Sequence, residues 1–153
     1  MSLPNVSADL VWEIVRSNNA YLVKRNTFGG VQFSRDPYNL TNKHSRKHAG
    51  FINEKAVGVL PNEKGGVVVI SKKIKSAHQP AKSSHRVTHG GNKTNRKTFK
   101  SIASQVAKSG YRADLRAAAI ARASAIRRSQ RPTKPDPQRK LRGNAAKKAA
   151  AVN

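Results

Sequence analysis

The sequence predicts an α+β fold: a small antiparallel sheet of two hairpins, a short N-terminal helix, two C-terminal helices and extended basic segments. Three observations carry this. Short β-branched runs separated by turn residues fill Ala20 to Ser71. Phe99, Ile102, Ala103, Val106 and Ala107 recur at helical spacing. The alanine- and arginine-rich stretch from Ala113 to Ser129 has high intrinsic helix propensity.

In chain order, Ser7 is placed to cap a helix over Ala8–Arg16, with Asp9 in the first turn, where the dipole favours an acid. Leu10, Val11, Ile14 and Val15 give that helix an apolar face, and Ser17-Asn18-Asn19 stops it. Ala20–Arg25 and Val31–Ser34 read as strands joined by a turn at Phe28-Gly29-Gly30. Tyr38–Gly50 is too charged for core and reads as an ordered, nucleic-acid-facing loop. Lys55–Leu60 and Gly66–Ser71 form a second hairpin, and the run Val67–Ile70 belongs centrally in a sheet with at least one face covered. Between Lys72 and Lys93 large apolar residues nearly vanish, which predicts a segment ordered only against a partner. Thr94 or Asn95 caps the next helix and Gly110 ends it. Along the last helix Leu115, Ala118, Ala119 and Ile126 share one side, while Arg112, Arg116, Arg127, Arg128 and Arg131 spread over much of the rest. Prolines at 132, 135 and 137 forbid helix, and the Lys/Arg/Ala tail is expected to be disordered when free. The organisation is thus a body at 1–71, an extended basic linker at 72–93, a two-helix segment at 94–130 and a tail at 131–153.

Charge says most about function. The 153 residues carry a formal net charge of +24, and residues 64–153 hold 23 Lys/Arg against two acids. A chain this unbalanced repels itself when compact, so a polyanion is expected to complete it, and nucleic-acid phosphates fit best. Arg96, Lys97 and Lys100 crowd a helix N-terminus, where each cation costs on the order of 0.3–1 kcal/mol at low salt and a phosphate would reverse the sign. Residues expected at the phosphates are Lys43, Arg46, Lys47, Arg86, Lys93, Arg96, Lys97, Arg112, Arg116, Arg127 and Arg128.

Other chemistries find less support. The absence of cysteine excludes disulfides and thiolate metal sites. No apolar run reaches the roughly 20 residues a membrane helix needs, and the first residues lack the pattern of a secretory signal. The sequons at Asn5, Asn39 and Asn92 are therefore read as chance matches. The helix dipole explains Asp9 and Glu13 better than acid–base catalysis does. His44/His48 and His85/His89 have the i, i+4 spacing of zinc pairs but no acids or thiols nearby to complete a shell. Trp12, Tyr21, Phe28 and Phe33 are expected in the core rather than stacked on bases. No cofactor or small-molecule substrate is expected.

Several stretches also resemble a known family. They are Leu10–Arg16 (LVWEIVR), Tyr21–Arg25 (YLVKR), Asn39–Ser45 (NLTNKHS), Lys55–Val59 (KAVGV), Gly66–Val69 (GVVV), Tyr111–Arg116 (YRADLR) and Ala118–Ile126 (AAIARASAI). In this collinear order they resemble the eukaryote-specific large-subunit ribosomal protein twenty-eight, unrelated to the bacterial protein of that number. The resemblance implies a small α+β body on the large-subunit surface, bound to rRNA beside other ribosomal proteins, acting in the cytoplasm after nucleolar assembly. Arg46 stands where that family leads one to expect an aromatic residue, and Ala113 where it leads one to expect proline. The tail lies outside the resemblance. The competing readings are a chromatin protein of linker-histone type, a ribosome-assembly factor with a similar domain, and a small hydrolase or metal enzyme.

Overall fold

The computed structural model describes residues 5–137 and 140–151, without the side chains of Phe28, Ala145 and Ala149. The expectation for Phe28 lies outside these. Helix α1 is Ala8–Val15, and Ser7 caps it as expected by accepting from Leu10 N at 3.2 Å. Two apolar stripes compete on this short helix. At about 100° per residue, Trp12, Val15 and Val11 lie opposite Leu10 and Ile14. The indole wins: Trp12 is buried, while Leu10 and Ile14 are 54% and 68% exposed. The expected burial of Leu10 and Ile14 is therefore corrected, because a helix at the surface buries one side and the largest apolar area prevails.

Strands β1 (Leu22–Arg25) and β2 (Val31–Ser34) pair antiparallel across a turn in which Gly29 and Gly30 take φ of 77° and 83°. This hairpin is a sheet of its own. Its aromatic residues are not core: Tyr21 and Phe33 are 37% and 44% exposed, contrary to expectation. A two-stranded ribbon has too little area to cover both of its faces.

The second sheet has the order β3-β4-β5, with β3 at Val57–Pro61, β4 at Gly66–Lys72 and β5 at Ser84–Gly90. The run Val67–Ile70 is central, as its composition predicts. Its second neighbour comes from within 72–93, so the expectation that this segment is ordered only against a partner is corrected: seven of its residues pair in register from Gly66↔Gly90 to Lys72↔Ser84. Backbone pairing with a strong central strand supplies what the side chains of β5 lack. Gly66 has φ of 96°, and a Cβ there would collide with the His89 carbonyl, so glycine alone fits this strand start.

Helices α2 (Asn95–Ala103, continued by a π-turn at Ser104–Lys108) and α3 (Arg116–Ser129, preceded by a 3-10 turn at Ala113–Leu115) cover one face of this sheet. The core joins Val57, Val59, Val67 and Val69 to Ile102, Val106, Leu115, Ala119 and Ala123. The alanines hold α3 close to its neighbours. Polar tethers fix the layers: Tyr111 Oη donates to Lys72 O at 2.7 Å, and the Gln130 amide both accepts from Gly66 N and donates to Gly66 O. In the tail, a short helix α4 occupies Asn144–Ala150 where no order was expected; its alanine content favours helix locally.

Candidate nucleic-acid interface

Between Tyr111 and Arg131 the sequence offers one acid, Asp114, so the arginines there are expected to have almost no internal partners. Backbone and amide oxygens serve instead. Arg127 donates to Asn95 Oδ1 (2.8 Å), Gly91 O (2.9 Å) and Lys93 O (3.2 Å), locking the turn between β5 and α2. Arg112 pairs with Asp114 at 2.7 Å and reaches Lys55 O and Lys47 O. Arg122, absent from the expected contacts, is half-buried and donates to Val59 O, Leu40 O and Asn42 Oδ1. It covers an edge carbonyl of β3 and ties the 40–42 loop to it. Burial pushes its pKa down, yet a guanidinium stays charged.

Arg46 is likewise engaged, by Asp9 at 2.8 Å and by the Asn53 side-chain oxygen. Four of the eleven expected contacts bear on the Tyr38–Gly50 loop and its surroundings, and this loop is ordered from within. Asp36 is buried, accepting from Tyr38 N and Phe51 N at 2.9 and 2.8 Å, and Asn39 bridges Lys43 O and Thr41 N.

Eight expected residues remain: Lys43, Lys47, Arg86, Lys93, Arg96, Lys97, Arg116 and Arg128. All are exposed, and none has a side-chain hydrogen bond or ion pair among the described residues. They fall in separate places. Lys93, Arg96 and Lys97 surround the start of α2, where Thr94 makes no side-chain cap. The first N–H groups of α2 and these cations thus point at the same anion-favouring end. Arg112 donates to Lys47 O at 3.3 Å, and the His48 pKa is lowered first by burial and then by Lys47, Arg112 and Lys43. Arg86 stands apart on the outer face of the three-stranded sheet, paired across from Ile70.

The histidine pairs do not converge. His85 and His89 lie on a strand, where four residues span about 13 Å, too far for one ion. His44 Nε2 is engaged with Arg16 O at 2.8 Å and His48 Nδ1 with Ser45 Oγ at 2.9 Å. Among the described residues no group of three or more His, Asp or Glu is placed to hold a metal, and no helix is long and apolar enough to cross a membrane.

Comparison with known proteins adds an independent line. A family model described as the ribosomal L28e protein family matches residues 10–129. The chain is 49% identical over 131 residues to the large ribosomal subunit protein eL28 of Schizosaccharomyces pombe, covering 85% of this chain and 97% of that one. It is 37% identical over 142 residues to the protein of the same name from Dictyostelium discoideum, covering 91% and 100%.

Proposed function

The chain belongs to the ribosomal L28e protein family, and from that premise we propose that it is a structural constituent of the cytosolic large ribosomal subunit. It binds folded rRNA by placing lysines and arginines on phosphates of separate RNA segments, and neighbouring ribosomal proteins complete its surroundings. The observation that carries this is that eight of the expected contacts are exposed cations with no side-chain acceptor among the described residues, distributed over the loop at 43–47, the outer sheet face and the ends of α2 and α3. Counterion release supplies much of the affinity, and recognition is mainly of shape, since side chains cannot read the deep groove of A-form RNA. The proposal gives the chain no catalytic step. Assembly in the nucleolus belongs to the same reading.

Sedimentation tests it. A tagged full-length chain should travel with 60S subunits and with translating polysomes. Presence on subunit precursors but absence from polysomes would favour an assembly factor, and preferential retention on duplex DNA would favour the chromatin reading.

A pH dependence follows from His48. Burial and the cations Lys47, Arg112 and Lys43 hold its pKa below the ordinary histidine value. Phosphates seated on those cations cancel their repulsion and raise it, so binding takes up a proton. The affinity for rRNA should therefore increase as pH falls through the range just below 6.5. The His48 ring resonances should titrate at higher pH in the complex than in the free chain. A downward or absent displacement would remove the 43–47 loop from the interface.

A further inference from the structure

The face of the three-stranded sheet turned away from the helices carries a groove of about 580 Å³. Register places Leu60 beside Val68 and Arg86 beside Ile70 on this face. The Pro37–Tyr38 loop covers one end, packed so closely that a Cβ on Gly58 would strike the Pro37 carbonyl. Lys72 Nζ stands 5.5 Å from the Tyr38 ring centroid and is held by the carbonyls of Phe51 and Asn53.

We propose that this groove receives one unstacked nucleotide of single-stranded RNA, an inference that rests on the rRNA-binding reading above and gives it a defined subsite. The volume lies within the range of small-ligand sites. The floor is apolar, Tyr38 offers the one aromatic ring in the lining, and Arg86 offers a planar guanidinium with no acceptor among the described residues. This is the combination on which splayed bases and their phosphates are held. Asn62 donates its amide to Gly65 O, which leaves its side-chain oxygen to meet a base edge. Glu63, also in the lining, repels phosphate, so the backbone keeps to Arg86. Two other hollows lack this chemistry. The cleft beside Trp12 is of similar size, about 570 Å³, but its arginines are engaged by Glu13 and Asp9. The hollow beside Lys72 is only about 190 Å³, and its lysine is engaged by carbonyls.

The full-length chain, wild type and Arg86→Ala, should be titrated with two probes: a single-stranded oligouridylate of about ten nucleotides with a central 4-thiouridine, and a blunt A-form duplex of equal length. Arg86 is exposed, so the variant should fold, and equal far-UV circular dichroism would verify it. Expected is a loss of about tenfold on the single strand with less than about twofold on the duplex. The 4-thiouridine should crosslink to the peptide carrying Tyr38 or Arg86, and irradiated 60S subunits should yield an RNA adduct on the same peptides. Equal losses on both probes, no loss, or crosslinks confined elsewhere would overturn the proposal. So would a protein–protein crosslink at this face in intact subunits. If the chain nevertheless sediments with 60S subunits, the subsite alone fails; if it does not, the ribosomal reading fails with it.

Discussion

The affinity of the full-length chain for a folded large-subunit rRNA fragment should fall on the order of 10³–10⁵-fold between 50 and 200 mM monovalent salt. Each cation that neutralises a phosphate releases condensed counterions, and log affinity drops with log salt in proportion to their number. Among the expected contacts, the eight with no side-chain partner among the described residues, Lys43, Lys47, Arg86, Lys93, Arg96, Lys97, Arg116 and Arg128, contribute most to that slope. Arg46, Arg112 and Arg127 weigh less because acids, amides and carbonyls already hold them. Two kinds of variant separate these classes. Arg96→Ala with Lys97→Ala should flatten the slope by between one and two, since two phosphate contacts disappear. Arg127→Ala should change the slope far less while lowering the melting temperature, because it frees the turn at 91–95 from three hydrogen bonds. Titrations at four or five salt concentrations measure both. A wild-type slope shallower than about two would mean that few of these side chains meet phosphate.

The division between engaged and free arginines was partly legible. With Leu115 as origin and about 100° per residue, Arg122 falls within roughly 20° of the seam and Arg128 on the far side. An arginine inside an alanine seam is a sign of a structural role, and its guanidinium indeed meets Val59 and Leu40 carbonyls. Helical periodicity also located α2 and α3, and the valine run located β4. Strand β5 was not legible, because Ser84–Gly90 holds one large apolar residue and owes its conformation to β4. Its only sequence signal is the alternation of His85, Val87 and His89 with Arg86 and Thr88, of which His89 proves buried. The orientation of α1 was ambiguous for the opposite reason: both sides are apolar, and only packing against His44, whose ring centroid is 5.0 Å from that of Trp12, selects one. Arg46 shows the limit of composition, since its partners Asp9 and Asn53 become neighbours only through the fold.

Two substitutions of one chemistry should separate widely in stability. Ile102→Ala should cost about 2–5 kcal/mol, whereas Ile14→Ala should stay within about 0.5 kcal/mol of wild type. Ile102 is wholly buried between α2, the sheet and α3, and Ile14 is 68% exposed. The cost at Ile102 has two parts, the transfer of the lost side chain to water and the cavity left behind. That cavity cannot shrink readily. Ala119 and Ala123 already bring the α3 backbone close, and Arg122 and Gln130 pin α3 to β3 and β4, so the loss belongs toward the upper end of the range. At about 2–4 °C per kcal/mol for a chain of this length, melting should fall by roughly 8–20 °C. The comparison is best made near 0.5 M salt, where screening relieves the self-repulsion of a +24 chain without RNA. At Ile14 alanine gains slightly in helix propensity and loses little burial, so the two effects nearly cancel. Comparable losses at both positions would mean that the Leu10–Ile14 side of α1 packs against the body, and the orientation set by Trp12 would then be wrong.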